Sequence, residues 1–193
     1  MKTFLFPAAL AASVIAPPAA SAQALPPATI AVVDLDKVTT DCNACRTANA
    51  ALRAQVTAQE NREKALIAPL QTEQKSIQAA IDALKGADAD AALQARIKAF
   101  QGKQQQAQET AGRGRQQLQR NREYMSQQVS AKLGPIYQQV MTRRGANVMI
   151  EIGTTLASGA ALDVTNDVLA ALNAALPTIT TNAPAASQAA PSR

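Results

Sequence analysis

Two long segments, each with one mainly apolar seam, dominate the pattern of hydrophobic and polar positions along the chain. Between residues 43 and 84 the seam positions recur at alternating spacings of four and three, which is the repeat of a helix packed along one side. A helix of this length forms a rod of about 60 Å, in which Pro69 is expected to cause a kink. Seven of the ten seam residues are apolar and three are polar: Leu52, Val56, Gln59, Glu63, Leu66, Leu70, Glu73, Ile77, Ala80 and Leu84.

A second segment with the same spacing follows a short break with the sequence GADAD. In this break Gly86 suits a helix C-cap, and Asp88 or Asp90 suits the N-cap of the next helix. The second segment is rich in glutamine, and Gly112 and Gly114 each weaken it by about 1 kcal/mol relative to alanine. Two rods of similar length joined by a short turn imply an antiparallel helical hairpin. The second seam consists of Leu93, Ile97, Phe100, Gln104, Ala107, Ala111, Leu118, Met125, Val129 and Leu133, with Gly114 and Asn121 at intervening positions.

Short stretches rich in β-branched residues flank the hairpin on both sides. The sequences TIAVVDL (residues 29–35) and ANVMIEI (residues 146–152) each predict a strand. Between the first strand and the first rod, Thr39, Thr40 and Asp41 are candidates for the helix N-cap.

The two flanks are expected to assemble into one body. A short amphipathic helix is predicted after the second strand, at residues 166–176, with Thr165 as its N-cap. Neither flank could form a core alone, and two short strands are too few for an independent sheet. We therefore predict an α+β fold in which a small β-rich body, completed by oligomerisation, carries the long antiparallel helical hairpin as a coiled-coil-like arm inserted between its strands.

The chain is accordingly divided into five predicted parts, with the kink at Gly134-Pro135 marking the end of the arm. The Ala/Pro-rich composition of the last part predicts disorder. The parts are a signal peptide (residues 1–22), a flexible leader (23–28), the body (29–45 and 135–176), the arm (46–134) and a disordered tail (177–193).

The N-terminal residues have the pattern of a cleaved signal peptide. Lys2 provides a positive start, an apolar run follows, and Ala20-Ser21-Ala22 is the small-x-small pattern after which we expect cleavage before Gln23. Pro17 and Pro18 end the apolar run well short of the ~20 residues that a membrane span needs. The sequence therefore predicts export into the cell envelope.

The charge of the chain is concentrated in the predicted arm. The formal net charge of the whole chain is +5, and fourteen basic and eight acidic residues lie between Arg46 and Lys132, a local excess of six. Such a surface attracts anionic lipid, acidic polypeptide or nucleic acid, and export argues against nucleic acid. A solvated helix surface explains much of the charge without any partner. Aromatic residues make up only 3% of the chain, which favours long packed helices over a thick core.

Little in the sequence supports an enzymatic function. The chain has no histidine, which removes His-based triads and most catalytic metal sites, and it has no phosphate-binding loop of the G-x-x-x-x-G-K-[ST] type. Asp34 and Asp36 form a carboxylate pair at a strand end, but residues in this position more often cap a helix. Tyr124 and Tyr137 lie on or near the helical stripe and are interpreted as packing residues. We therefore predict no catalytic residues, cofactor or metal.

Cys42 and Cys45 form a C-x-x-C motif near the start of the first rod. One interpretation is a redox pair, since the motif follows a strand and opens a helix. A zinc site would need further ligands, which the chain does not provide as Cys or His. We favour a local structural disulfide in an oxidising compartment, and a bridge between subunits remains an alternative.

The order of these elements resembles the OmpH/Skp family of periplasmic chaperones. The resemblance covers roughly residues 29–176, with a first strand like IAVVDL and a kinked segment GPIYQQVMTRRG after the arm. The most specific part is the D-[IV]-T-x-[DE]-V-[IL] block near the end, and Cys42 and Cys45 are a departure from the general pattern. The block consists of Asp163, Val164, Thr165, Asp167, Val168 and Leu169.

The resemblance implies a homotrimeric periplasmic holdase without cofactors. A β-rich trimerisation body would carry helical arms around a cavity that holds an unfolded outer-membrane protein, and ATP would not be needed. The basic arms add a second expected partner, an anionic membrane surface. Two other hypotheses stay open: a coiled-coil spacer or adaptor of the envelope, and a thiol-disulfide redox protein that uses Cys42 and Cys45.

Overall fold

A computed structural model of the chain describes residues 26–184, so the predicted signal peptide and the last nine residues lie outside the described part. Two 3-10 turns, Ile152–Thr154 and Ala160–Leu162, lie between the second strand and the last helix. The strands and α-helices are β1 (Ile30–Val33), α1 (Leu35–Asp41), α2 (Asn43–Ala83), α3 (Ala91–Arg144), β2 (Val148–Glu151) and α4 (Thr165–Ala175).

Helices α2 and α3 form the predicted antiparallel hairpin. All ten predicted seam residues of α2 and all ten of α3 are buried or half-buried, whereas most residues on the opposite faces are exposed. The predicted seams are thereby confirmed. In the turn, Lys85 and Gly86 have positive φ angles of 48° and 95°, and Asp90 rather than Asp88 is the N-cap, its Oδ1 accepting a hydrogen bond from the Leu93 N–H at 2.7 Å.

Ion pairs between the two helices fix how far one is shifted along the other. Lys103 Nζ lies 2.8 Å from a carboxylate oxygen of Glu73, and Arg115 lies 3.0 Å from Glu63. Both carboxylates come from seam positions of α2, so their aliphatic stems pack between the helices while their charged ends reach the rim. These polar seam residues therefore fix the alignment of α2 with α3, although they bury little apolar surface.

The seam contains one polar layer that depends on a glycine. Gln59 is buried, and its Nε2 donates to Glu63 Oε1 at 3.0 Å. A Cβ atom at Gly114 would overlap the side-chain amide of Gln59, whereas a Cβ at Gly112 would meet nothing within 4 Å. Gly114 therefore makes room for the amide, and Gly112 has no such role.

Neither proline inside the hairpin ends its helix. Pro69 lies within α2, and Pro135 lies within α3, which continues from the arm into the body as far as Arg144. Leu133 and Ile136 on either side of the second proline are buried in the core, and this packing offsets the hydrogen bond that proline cannot donate. The predicted boundary at Gly134-Pro135 is therefore not an interruption of the helix.

The body is built from both flanks, as predicted, but it is mainly helical. Strands β1 and β2 pair in parallel with Ile30 opposite Val148, and both are shorter than the predicted strands. Within the described residues the sheet has two strands, so the expected β-rich body is not found in the single chain. The core contains Ala31, Val33, Val38, Cys42, Ala44, Cys45, Val129, Leu133, Ile136, Val140, Val164, Val168, Leu172 and Leu176, with Tyr137 packed against it.

A short helix that the sequence pattern did not predict, α1, explains why β1 ends before the predicted strand does. Asp34 is the N-cap of α1, and its Oδ1 accepts a hydrogen bond from the Lys37 N–H at 2.7 Å. Thr39, Thr40 and Asp41 therefore lie inside α1, and none of them caps the arm as predicted.

The last helix also begins differently from the prediction. Thr165 is its first helical residue rather than its N-cap, because Asp163 Oδ1 accepts the Thr165 N–H at 2.8 Å.

Residues 177–184 also differ from the prediction of disorder. They follow α4 back along the hairpin, and Ile179 packs against the core. Several of their polar groups are hydrogen-bonded to side chains of α2 and α3. The rest of the predicted tail lies outside the described residues.

The two neighbouring glycines of α3 give a matched test of the polar layer. Gly112→Ala should raise the free energy of unfolding by about 0.5–1 kcal/mol, because alanine is the better helix former and the site is open. Gly114→Ala should raise it by less than Gly112→Ala does, because the Gln59 amide must move away from its partners. Urea unfolding monitored by circular dichroism measures both variants, and an equal gain in the two would contradict the role of Gly114.

Candidate functional site

The residues of the family-like block near the C-terminus tie α4 to the end of β1. The Thr165 hydroxyl accepts a hydrogen bond from the Asp34 N–H at 2.9 Å, and the Val164 N–H donates to the Val32 carbonyl at 2.8 Å. Asp163 forms an isolated parallel bridge to Val32, on the edge of β1 that β2 leaves open. The block therefore extends the sheet by one residue before the chain turns into α4.

The carboxylate of Asp163 is stabilised in its charged form. Side-chain and backbone hydrogen bonds from Thr165 lower the pKa of Asp163 below its ordinary value, and Lys37 adds a smaller effect of the same sign. The block has a structural role in this chain, because its polar groups are used within the body and Val168 is fully buried.

A second polar contact joins α4 to the end of α3. The Arg144 Nε donates to Asp167 Oδ2 at 2.7 Å, and the arginine lies in the last turn of α3, where a positive charge also interacts favourably with the helix dipole. Gly145 then ends α3 in the left-handed conformation, with φ of 67°. Asp167 thus fixes α4 beside the junction of arm and body.

Cys42 and Cys45 form a disulfide in which the two Sγ atoms are 2.00 Å apart. The residues are 0% and 3% exposed, and both belong to the hydrophobic core. Cys42 also occupies the N-cap position of α2. A disulfide that exchanges with another protein must be reached by an attacking thiolate, so this buried position favours a covalent link between α1 and α2 over a redox site.

The outer face of the sheet carries apolar side chains that the single chain leaves partly uncovered. Ile30 and Val148 are directly opposite each other in the register and are 39% and 38% exposed, and Leu162 nearby is 41% exposed. We call these three residues the outer sheet patch. Among residues 26–184, no strand pairs with the second edge of β2.

The sequence contained a signal for this patch. A strand that is apolar at every position, as IAVV is, is typical of a sheet covered on both faces, whereas alternation is typical of a sheet with one wet face. The alternation is missing in β1, which predicts a cover on both faces; the chain itself buries Val32 on the face of Ile30, so the uncovered part is the end of the sheet at Ile30 and Val148.

The arm presents a basic surface on which few of the cations are paired with a carboxylate. Within the described part of the chain, the arm cations that lie within 4.0 Å of a carboxylate are Lys103, Arg113 and Arg115. Residues 26–184 contain no group of three or more Cys, Asp or Glu placed to hold a metal ion. No helix in the same range has both the length and the apolar composition to cross a membrane.

Comparisons with known proteins agree with this geometry. Residues 29–172 match the family model for outer membrane proteins of the OmpH-like type. The fold is similar to a crystal structure from Caulobacter crescentus CB15 that is described as an OmpH-like outer membrane chaperone, with a TM-score of 0.67 and 18% identity over 84% of this chain and 94% of that one. The comparison with curated proteins gives no match.

Thr165 gives a direct test of the polar link between α4 and β1. Thr165→Val keeps the shape of the side chain and removes the acceptor of the part-buried Asp34 N–H, so the free energy of unfolding should fall by about 1–3 kcal/mol. Thr57→Val, on the exposed face of α2, is the control and should change it by less than about 0.5 kcal/mol. Equal effects in urea unfolding would show that the hydroxyl is not used as described.

Proposed function

The chain belongs to the OmpH-like family of outer membrane proteins, and from this premise we propose that it is an ATP-independent periplasmic holdase for unfolded outer-membrane proteins. The observation that carries the proposal is the family match over residues 29–172, which spans the body and the whole arm. The proposal includes no catalytic residue, cofactor or metal. Its unit would be a homotrimer whose arms surround the bound client.

The arm has the physical properties that such a role needs. Its seam is thin, and polar layers such as Gln59 interrupt it, so the arm buries little apolar surface for its length. The outward faces are polar and basic, which supports many weak contacts with different polypeptides over one tightly complementary interface. The same charge would attract an anionic membrane surface within about a Debye length, ~8 Å at physiological ionic strength.

The trimer is supported by the outer sheet patch and the open edge of β2. Two four-residue strands are too few for a stable sheet in water, and an open strand edge is a template for pairing with another chain. A second and third copy would cover Ile30 and Val148 and supply the missing strands. This arrangement would turn three helical bodies into the β-rich centre that one chain lacks.

Charge placed on the outer sheet patch should break the assembly. We expect the double variant Ile30→Lys/Val148→Lys to fall from the mass of a trimer to that of a monomer in light scattering, because two desolvated ammonium groups would face each neighbouring copy. Ile67→Lys is the matched control, since Ile67 is also an exposed isoleucine but lies on α2. A monomeric parent chain, or an unchanged mass of the double variant, would contradict the trimer proposal.

The holdase activity is tested by dilution of an outer-membrane β-barrel protein from urea into buffer that contains the mature chain and no ATP. We expect suppression of aggregation near one trimer per client, and weaker suppression as the ionic strength rises. Neutralising three exposed arm cations in Lys64→Gln/Lys75→Gln/Lys98→Gln should weaken client binding about threefold to tenfold. The control Glu60→Gln removes an exposed acidic charge and should not weaken it.

The same assay separates the proposal from its two alternatives. A well-folded trimer that does not suppress aggregation would favour an envelope spacer or adaptor. Cys42→Ser/Cys45→Ser should retain suppression once its fold is verified, because the buried disulfide is not placed to react with a client. Loss of suppression in a folded double variant would favour the thiol-disulfide alternative.

A further inference from the structure

Residues 178–183 lie in the groove between α2 and α3 without regular secondary structure, and the backbone bends at Asn182. Their burial alternates: Ile179, Thr181 and Ala183 are half-buried, whereas Thr180 and Asn182 are exposed. This period of two is that of a strand lying on a surface. The segment has no β-strand beside it, so its backbone groups need other partners.

Amide side chains of the arm provide those partners. Gln128 contacts both backbone groups of Thr180, accepting its N–H at 3.0 Å and donating to its carbonyl at 2.8 Å. About two turns nearer the arm tip on α3, Asn121 Oδ1 accepts the Ala183 N–H at 2.9 Å, and Gln117 Nε2 donates to the Ala183 carbonyl at 3.3 Å. At each site the N–H and the carbonyl of one residue are both paired with amide side chains of α3.

The amides are held in position by contacts within the arm. Asn121 is buried, and its Nδ2 donates to Gln55 Oε1 on the opposite helix at 2.8 Å. Gln117 Nε2 also donates to Asn121 Oδ1 at 2.8 Å, and Gln128 Nε2 donates to the Tyr124 carbonyl at 3.1 Å. These bonds join arm residues to one another, so contacts other than those with the segment also orient the amides.

The groove contacts the side chains of Thr181 and Asn182 through Gln55 Nε2, at 3.3 and 3.0 Å, but it leaves space around Ile179. A cavity of about 410 Å³ lies on one side of Ile179, and a cavity of about 250 Å³ lies on the other side, between the segment and the start of α2. Beyond Ala183 the groove continues toward the tip as a cavity of about 220 Å³ beside Gln59 and Arg62. Space around the segment, together with contacts to its backbone, is the arrangement expected for binding that depends only weakly on sequence.

We propose that this groove is a binding site for an extended polypeptide recognised through its backbone by Gln128, Asn121 and Gln117, and that residues 178–183 occupy it as an internal competitor. The inference rests on the proposed function and deepens it, because an unfolded client is an extended polypeptide with unpaired backbone groups. A client segment that enters the groove displaces the segment of the chain itself.

Proline substitutions in the full chain test the backbone contacts directly. Thr180→Pro/Ala183→Pro removes the two N–H groups that Gln128 and Asn121 accept, and should release the segment from the groove. Thr178→Pro is the matched control, because among residues 26–184 neither its N–H nor its side chain forms a hydrogen bond, whereas the Asn182 side chain accepts one from Gln55 Nε2. The probe is a fluorescein-labelled peptide of the sequence LPTITTNAP, and its affinity is measured by fluorescence anisotropy.

We expect the released variant to bind the peptide at least about tenfold more tightly than the parent chain and the control do. A scrambled peptide of the same composition should bind it within about threefold, since the backbone is the recognised part. A peptide N-methylated at the positions of Thr180 and Ala183 should lose binding, and so should the released variant that also carries Gln128→Ala. Gln127→Ala, at the exposed neighbouring position, should leave it intact.

A second measurement uses only the parent chain. Amide hydrogen exchange at Thr180 and Ala183 should be slowed in the parent and should speed up when the scrambled peptide is added in excess. Equal peptide affinities of all variants, undiminished binding of the N-methylated peptide, or unaltered exchange would each overturn the inference. Aggregation suppression by the parent chain with no peptide binding by the released variant would refute the groove and leave the holdase proposal standing. Peptide binding by the released variant without aggregation suppression by the parent chain would support the groove and contradict the holdase proposal.

Discussion

The parallel pairing of β1 with β2 is the constraint on which the rest of the structure depends. Parallel strands cannot be joined by a tight turn, and here the connection between them contains the complete arm. Asn147 and Thr29, 118 residues apart, close this connection with two hydrogen bonds, of 2.7 and 2.9 Å. The helix α3 must then run from the arm tip into the body without a break, and its last turns become part of the core. The orientation of the arm is set by the same residues that stabilise the body.

The arm itself is held together by register more than by burial. Its seam alternates apolar residues with Gln59, Glu63 and Glu73, so close packing contributes less here than in a regular coiled coil. The ion pairs from Glu63 and Glu73 to α3 discriminate between neighbouring registers although each pair is partly exposed and individually weak. A hairpin of this kind keeps one alignment although it buries little apolar surface between its helices.

The two long helices, in which the hydrophobic spacing repeats many times, were predictable from the sequence, and the short elements were not. The seams of α2 and α3 were identified residue by residue because a spacing of four and three repeats many times in each helix. Helix α1 was missed, since LDKVTTD is β-branched and too short to show a period; it forms because Asp34 caps it and Val38 is buried. Residues 177–184 have the composition of a disordered tail, and their order arises from Gln and Asn side chains distant in sequence. Local composition carries no information about such tertiary partners.

The glutamine-rich middle of α3 connects the stability of the arm with its binding properties. An amide side chain in a helical seam is less stabilising than leucine, because its polar groups must be paired when they are removed from water. Gln55, Gln117 and Asn121 form hydrogen bonds with one another across the hairpin, and Asn121 also accepts the backbone N–H of Ala183 in the groove. Apolar residues at these positions would pack the arm more stably, but they could not form hydrogen bonds with a polypeptide backbone. In the proposed binding mode, these amides contribute less packing energy than leucine would but can pair with a polypeptide backbone, and the basic charge around them would favour the approach of acidic segments.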